Sequence, residues 1–132
     1  MADVDQRSLE PRTYRVTRAD LAAYAAASGD HNPIHADEDV ARSVGLPGVI
    51  AHGMYTLALA ARYVDEWTGE PGRIAELGAK FTRPVVVPAG ADGAEVTVAG
   101  VAEERDGMTT VALTVTCGED KVLGNPRAVL RG

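Results

Sequence analysis

Apolar positions recur at helical spacing in the first half of the chain and at every second residue in the second half. Thr17 can cap a helix, with Asp20 three residues on as its acidic partner. Leu21, Tyr24 and Ala25 then share one face, and Gly29 is a natural C-terminal stop. A second, short helix is expected from Asp37 to Val44, with Val40, Ala41 and Val44 on one side and Gly45 after it. A third runs from about Gly53 to Glu66. There Met54, Tyr55, Leu57, Ala58, Leu59, Ala60 and Ala61 leave no polar face until Arg62, Asp65 and Glu66. A helix apolar all round is buried on all sides, and its alanines predict close neighbours.

Arg12 to Val16 reads as a first strand. After Pro71-Gly72 the period becomes two, with Val96 and Val98, then Val111, Leu113 and Val115, alternating with smaller or polar residues. Ile74 to Phe81 is a further strand with Gly78 as a bulge, while Glu103–Gly107 and Gly118–Lys121 are hairpin breaks. The expected fold is therefore α+β, one helix wrapped by an antiparallel sheet.

The chain has 132 residues without repeat, low-complexity tract or dividing linker, so residues 1–132 read as a single domain. About two-thirds of its unfolded surface can be buried, enough for a core without staples. Composition is that of an ordinary globular protein, 45% hydrophobic and 24% charged. Its lone cysteine, Cys117, excludes an internal disulfide framework. A net charge of −6 disfavours nucleic acid and anionic membrane as partners. No apolar run is long enough to span a bilayer and no secretory signal is visible, so a cytoplasmic location is expected.

All three histidines, His31, His35 and His52, lie close together in sequence, the first two within Ser28-Gly29-Asp30-His31-Asn32-Pro33-Ile34-His35. One reading is a helix ending in Asx-type turns built by Asp30 and Asn32. Another is a metal pair, since His31 and His35 stand at i, i+4. Pro33 disfavours the helix that pair needs, and no third ligand is evident nearby. His52, taken alone, suits a packed core histidine. The catalytic reading makes Asp30 and His35 an acid–base pair facing one cavity, able to share a water and add or remove it across a carbon–carbon double bond. Ile50-Ala51-His52-Gly53-Met54 would complete such a site. A helix start presents free N–H groups and partial positive charge, and Gly53 has no side chain to block a carbonyl oxygen.

SGDHNPIH, followed by Ala41 and then IAHGM, resembles the signature of the MaoC-like hot-dog dehydratases and (R)-specific enoyl-CoA hydratases. The likeness runs from about Arg12 to Leu130, through RYVDEWTGEPG and Lys80-Phe81-Thr82-Arg83-Pro84. It is most like the B-type catalytic subunit of the actinobacterial (R)-3-hydroxyacyl-ACP dehydratases. The resemblance implies a hot-dog fold, with Asp30 and His35 as the catalytic dyad. It implies the Gly53 N–H on the thioester carbonyl, Asn32 as a loop organiser, and Ser28 and His52 in support.

The implied reaction is reversible addition of water to a trans-2-enoyl thioester, giving the (R)-3-hydroxyacyl thioester, in fatty-acid, mycolate or polyketide metabolism. No metal or organic cofactor is implied; coenzyme A or the phosphopantetheine of acyl carrier protein carries the substrate. The implied assembly pairs the chain with an identical copy or a second hot-dog subunit. Arg12, Arg15 and Arg18, or Arg73 and Arg83, are candidates for a basic patch toward an acidic carrier protein. A non-catalytic acyl-binding subunit and a hot-dog thioesterase are the competing readings. The sequence departs from the family pattern at Val87-Pro88-Ala89-Gly90 and in its short arm before Arg12, and Tyr55 and Tyr63 add bulk near the helix.

Overall fold

A computed structural model describes residues 5–131. Six strands form one antiparallel sheet in the order β1-β3-β4-β6-β2, with β5 appended to β4. In chain order these are β1 (Asp5–Val16), β2 (Ile74–Phe81), β3 (Ala94–Arg105), β4 (Met108–Cys117), β5 (Asp120–Lys121) and β6 (Leu123–Leu130). Three helices, α1 (Arg18–Ser28), α2 (Glu38–Ser43) and α3 (Gly53–Thr68), lie between β1 and β2, together with a single 3₁₀ turn at Pro33–His35. The sheet curls around α3, which touches β1, β2, β3, β4 and β6. This is the wrapped-helix, hot-dog architecture expected from the sequence.

Local chemistry accounts for most boundaries. Thr17 and Asp20 form a reciprocal capping box at α1, and Gly29 closes the helix in the left-handed conformation. Asp106 and Gly107, both at positive φ, make the primed two-residue turn between β3 and β4. The hairpin break is therefore shorter than Glu103–Gly107, because Glu103 to Arg105 remain paired with β4. Val96, Val98, Val111, Leu113 and Val115 all point into the core, as the period-two pattern requires. The bulge expected at Gly78 lies between Gly78 and Lys80, and a second falls between Ile74 and Glu76.

Three expectations need correction. The first strand begins at Asp5 rather than Arg12, because a register shift between Leu9 and Arg12 accommodates Pro11, which has no N–H for the ladder. The same shift frees the Glu10 carbonyl, which accepts the Tyr63 hydroxyl at 2.7 Å. Second, α3 runs to Thr68 and is not buried all round. Leu59, Ala60, Tyr63 and Val64 are buried, but Met54, Ala58 and Arg62 form an exposed stripe at helical spacing. The sheet closes around only part of the helix. Third, Val44 caps α2 instead of continuing it and is exposed, whereas Ala41 is buried. Among the described residues no helix is long and apolar enough to cross a membrane.

β1 is tied to α3 by a polar cluster. Tyr14, buried, donates its hydroxyl to Glu66, and the Arg12 and Arg62 guanidinium groups stand 3.3 and 3.4 Å from the same carboxylate. Burial, then the Glu66 charge, pushes the Tyr14 hydroxyl well above its ordinary value of 10.0. The Tyr14 hydrogen bond, helped by the two arginines, holds Glu66 below its ordinary 4.5. A depressed carboxylate adds stability that is complete above pH 4.5 and drains away as pH falls through the lowered value. A raised phenol costs stability as pH climbs beyond 10.0. Urea unfolding across a pH series should show both limbs, and Glu66→Gln should flatten the acid one; an unaltered acid limb in that variant would refute the assignment.

Candidate active site

The loop after α1 is built by its own side chains. Ser28 Oγ accepts the Asp30 N–H, Asp30 Oδ1 accepts the Asn32 N–H, and Asn32 Oδ1 accepts the Ile34 N–H, each at 3.2 Å. These successive i→i+2 bonds are the Asx-type turns anticipated for Asp30 and Asn32. They tighten the chain so that Pro33 starts the 3₁₀ turn with Asn32 as its cap. Turn-making and chemistry are thus not alternatives here. The bonds that end α1 also aim Asp30.

Long-range contacts complete the site. The Ile50 N–H donates to the Ile34 carbonyl at 3.2 Å, and His35 Nδ1 donates to the Ile50 carbonyl at 2.7 Å. A nitrogen facing a carbonyl must carry the hydrogen, so His35 Nε2 is left with the lone pair a general base needs. His35 stacks on His52 with ring centroids 3.8 Å apart and planes 23° from parallel. His52, 2% exposed, faces the Asp30 carbonyl with Nε2 at 3.2 Å. One ligand-type atom from each of Asp30, His35 and His52 lies within 4.8 Å of the others. His52 is a packed core histidine, as read alone, and it also contacts both members of the pair.

His31 is exposed and stands outside this cluster, and the chain between it and His35 is a turn rather than a helix. The His31–His35 metal pair therefore does not form. In the trio that does assemble, one nitrogen of each imidazole is already taken by a carbonyl, and His52 Nδ1 is sealed from solvent. That leaves His35 Nε2 as the open imidazole position beside the Asp30 carboxylate, a donor set better matched to a shared water than to a metal.

Asp30, His35, His52 and Gly53 line a pocket of about 590 Å³ that also includes Tyr24 and Phe81. Gly53 is the first residue of α3, and its cap residue His52 makes no side-chain cap bond. Among the described residues no acceptor takes the Gly53 N–H. This amide is therefore free, at the positive end of a 16-residue helix, beside the Asp30–His35 pair. A second cavity of about 700 Å³, at the other end of α3 near Arg7, Trp67 and Arg73, brings no carboxylate and imidazole together.

Three features of the pocket were not assigned from sequence. Phe81, the only phenylalanine in the chain, lays its ring on Gly53 although it is 57% exposed. Tyr24, placed by the helical period on the inner face of α1, packs on His52 at 4.7 Å and edge-on to Tyr55 at 5.5 Å. The Ile50 carbonyl, which sets the His35 tautomer, has no side-chain signature at all. Tyr63 is core, hydrogen-bonded to Glu10, and does not narrow the pocket; the tyrosine that lines it is Tyr24. Of the arginines singled out, Arg12, Arg15 and Arg18 are paired with Glu66, with Asp92 and Glu95, and with Glu38. Arg73 donates to the Arg131 carbonyl, whereas Arg83 lines the pocket. Burial pushes the Cys117 thiol up from its ordinary value, which disfavours the thiolate.

Comparison with known proteins identifies the family and the fold. Residues 2–122 match the family model described as MaoC like domain. The chain is 40% identical over 75 residues to 3-hydroxyacyl-thioester dehydratase X of Mycobacterium tuberculosis, which covers 57% of this chain and 26% of that protein. A solved MaoC-like dehydratase superposes with a TM-score of 0.90 at 35% identity, covering 95% of this chain and 39% of the other. The (R)-hydratase from A. caviae involved in PHA biosynthesis superposes with a TM-score of 0.77 at 25% identity, covering 98% and 94%. The chain spans about a quarter or less of the length of the first curated relatives it matches, 4% for a fatty acid synthase beta subunit of Aspergillus oryzae.

A side chain at position 53 tests the fit of the Phe81 ring. A Cβ there would meet ring atoms at 3.0–3.2 Å, and the exposed ring can give way. Replacing glycine by alanine in a helix interior gains up to about 1 kcal/mol, and the smaller gain at this first helical position offsets part of that crowding. Gly53→Ala should therefore keep its urea midpoint within the equivalent of about 1 kcal/mol, while the pocket floor closes over the amide. A loss of several kcal/mol would show that the ring is locked rather than yielding.

Proposed function

This chain belongs to the MaoC-like domain family, and from that premise we propose that it is an (R)-specific hydro-lyase interconverting trans-2-enoyl and (R)-3-hydroxyacyl thioesters. The observation that supports this reading is the convergence of Asp30, His35 and an uncapped Gly53 N–H on one pocket. The thioester carbonyl sits on the Gly53 amide, and the acyl carbons lie along Met54 and Phe81. Water is held between the Asp30 carboxylate and His35 Nε2. As its oxygen bonds to C3, one proton passes to the dyad and negative charge gathers on the carbonyl oxygen. The amide and the helix dipole stabilise that charge. The dyad then returns a proton to C2, so that the elements of one water have been added and both side chains are restored. Dehydration is the reverse.

As proposed, the chemistry uses no metal or organic cofactor, and the carrier is coenzyme A or the phosphopantetheine of acyl carrier protein. Arg83, at the pocket, is the basic side chain placed to meet a carrier phosphate, in place of the paired Arg12, Arg15 and Arg18. The domain acts beside a second hot-dog copy, identical or distinct. β2 is a sheet edge with eight residues available for pairing, and it ends at Phe81 against the site. A cytoplasmic location goes with that role.

Hydration of crotonyl-CoA, followed by loss of the enoyl absorbance, tests the assignment. Positioned acid–base groups contribute about 10²–10⁴-fold each. Asp30→Asn and His35→Ala should each lower kcat/KM by at least that lower figure in a folded protein. Undiminished hydration in either variant sinks the role of that residue, and release of free thiol instead of hydration would indicate a thioesterase.

A further inference from the structure

We propose that His52 is a positioning residue, one side chain that sets Asp30 and His35 in register with each other and with Gly53. This rests on the hydration reading above. His52 is 2% exposed, and among the described residues no donor reaches its Nδ1. With Nε2–H spent on the Asp30 carbonyl, Nδ1 is a bare, buried lone pair. A side chain present only to fill space would do better without it, because an apolar ring leaves nothing unsatisfied. The imidazole is explained by what its other nitrogen and its face do.

Those two contacts reach different partners. Every side-chain bond within the Ser28–Ile34 loop is local, spanning two residues. The bond from His52 to the Asp30 carbonyl crosses 22 residues and ties that loop to the start of α3. His35 is held by a single ring bond, at Nδ1, about which the imidazole can swing. Stacking on His52 at 3.8 Å takes away that swing and fixes where Nε2 points. His52 is in turn backed by Tyr24, which packs against Tyr55 of α3. Acid, base and carbonyl-binding amide are thereby referred to one backbone segment, residues 52–53.

The two contacts can be separated. His52→Gln keeps an amide N–H at about the reach of Nε2 but removes the stacking face. His52→Phe keeps the face and removes the donor. Misplacing a reacting group by about 1 Å costs on the order of 100-fold. Each variant should lower kcat for crotonyl-CoA hydration by about 10- to 100-fold with KM changed by less than about threefold. In an Asp30→Asn background the further loss from His52→Phe should shrink to about threefold or less, since it acts through a group already disabled. Wild-type kcat in either variant, an effect confined to KM, or full additivity with Asp30→Asn each overturns the proposal.

A measurement that needs no variant is the ¹⁵N spectrum of the native imidazoles. It should show His52 protonated on Nε2 alone, and protonation on Nδ1 instead overturns the proposal. If Asp30→Asn and His35→Ala are inactive while both His52 variants are not, only this inference fails. If the unsubstituted protein does not hydrate crotonyl-CoA at all, the hydration reading itself fails.

Discussion

The site depends on the lacing of the 3₁₀ turn to the segment that leads into α3. Ile50 N–H to Ile34 carbonyl and His35 Nδ1 to Ile50 carbonyl are two bonds between stretches 15 or more residues apart. Together they put the imidazole beside the helix start, and the second also selects its tautomer. A backbone carbonyl is a suitable partner for this purpose, because it accepts and never donates, so Nε2 must face the pocket as a base. Without the lacing, Asp30 and His35 would still share a tight bend. They would have no fixed relation to the amide that must take up charge.

The fold supplies the rigidity this arrangement needs. α3 is gripped on one side by Val16, Val96, Val98, Val111 and Val115, and its far end is clamped to β1 through Tyr14, Glu66 and the two arginines. Its first turn is left without a side-chain cap. Helix ends normally recover their free N–H groups through caps, and both α1 and α2 do so, with Thr17 and Asp37. The same chain that caps two helices leaves its longest one open where the pocket lies. That exposed amide and the sealed Nδ1 of His52 are both polar groups left unpaired at the site, where local stability is given up for geometry.

The uncovered surfaces follow from the same geometry. A sheet of this length cannot close around α3, so Met54, Ala58 and Arg62 face outward and β2 keeps a free edge. Phe81 stands at the junction of that edge with the pocket and is exposed while resting on Gly53. Edge and pocket are thus one continuous region. An event at the edge, such as pairing with another subunit, would bear directly on the ring that rests on Gly53.

Much of this was legible because its causes are local. The capping box of Thr17 and Asp20, the Asp-Gly turn, the period-two valines and the i→i+2 bonds of Ser28, Asp30 and Asn32 each act within a few residues, so residue type and spacing suffice to foresee them. The candidate residues Asp30, His35 and Gly53 were visible for the same reason, as a polar bend and a glycine at a helix start. What lay beyond sequence depends on how far the sheet curls. That curl exposes one face of an all-apolar helix, and Pro11 was absorbed by a bulge that no neighbouring residue announces. The stacking of His35 on His52, the reach of His52 to Asp30 and the ring of Phe81 on Gly53 likewise join residues 17 to 28 apart in the chain. Sequence determined which groups were present and which local turns they make. Only the wrapped sheet decided which of them touch, because contact between distant residues is a property of packing and not of spacing.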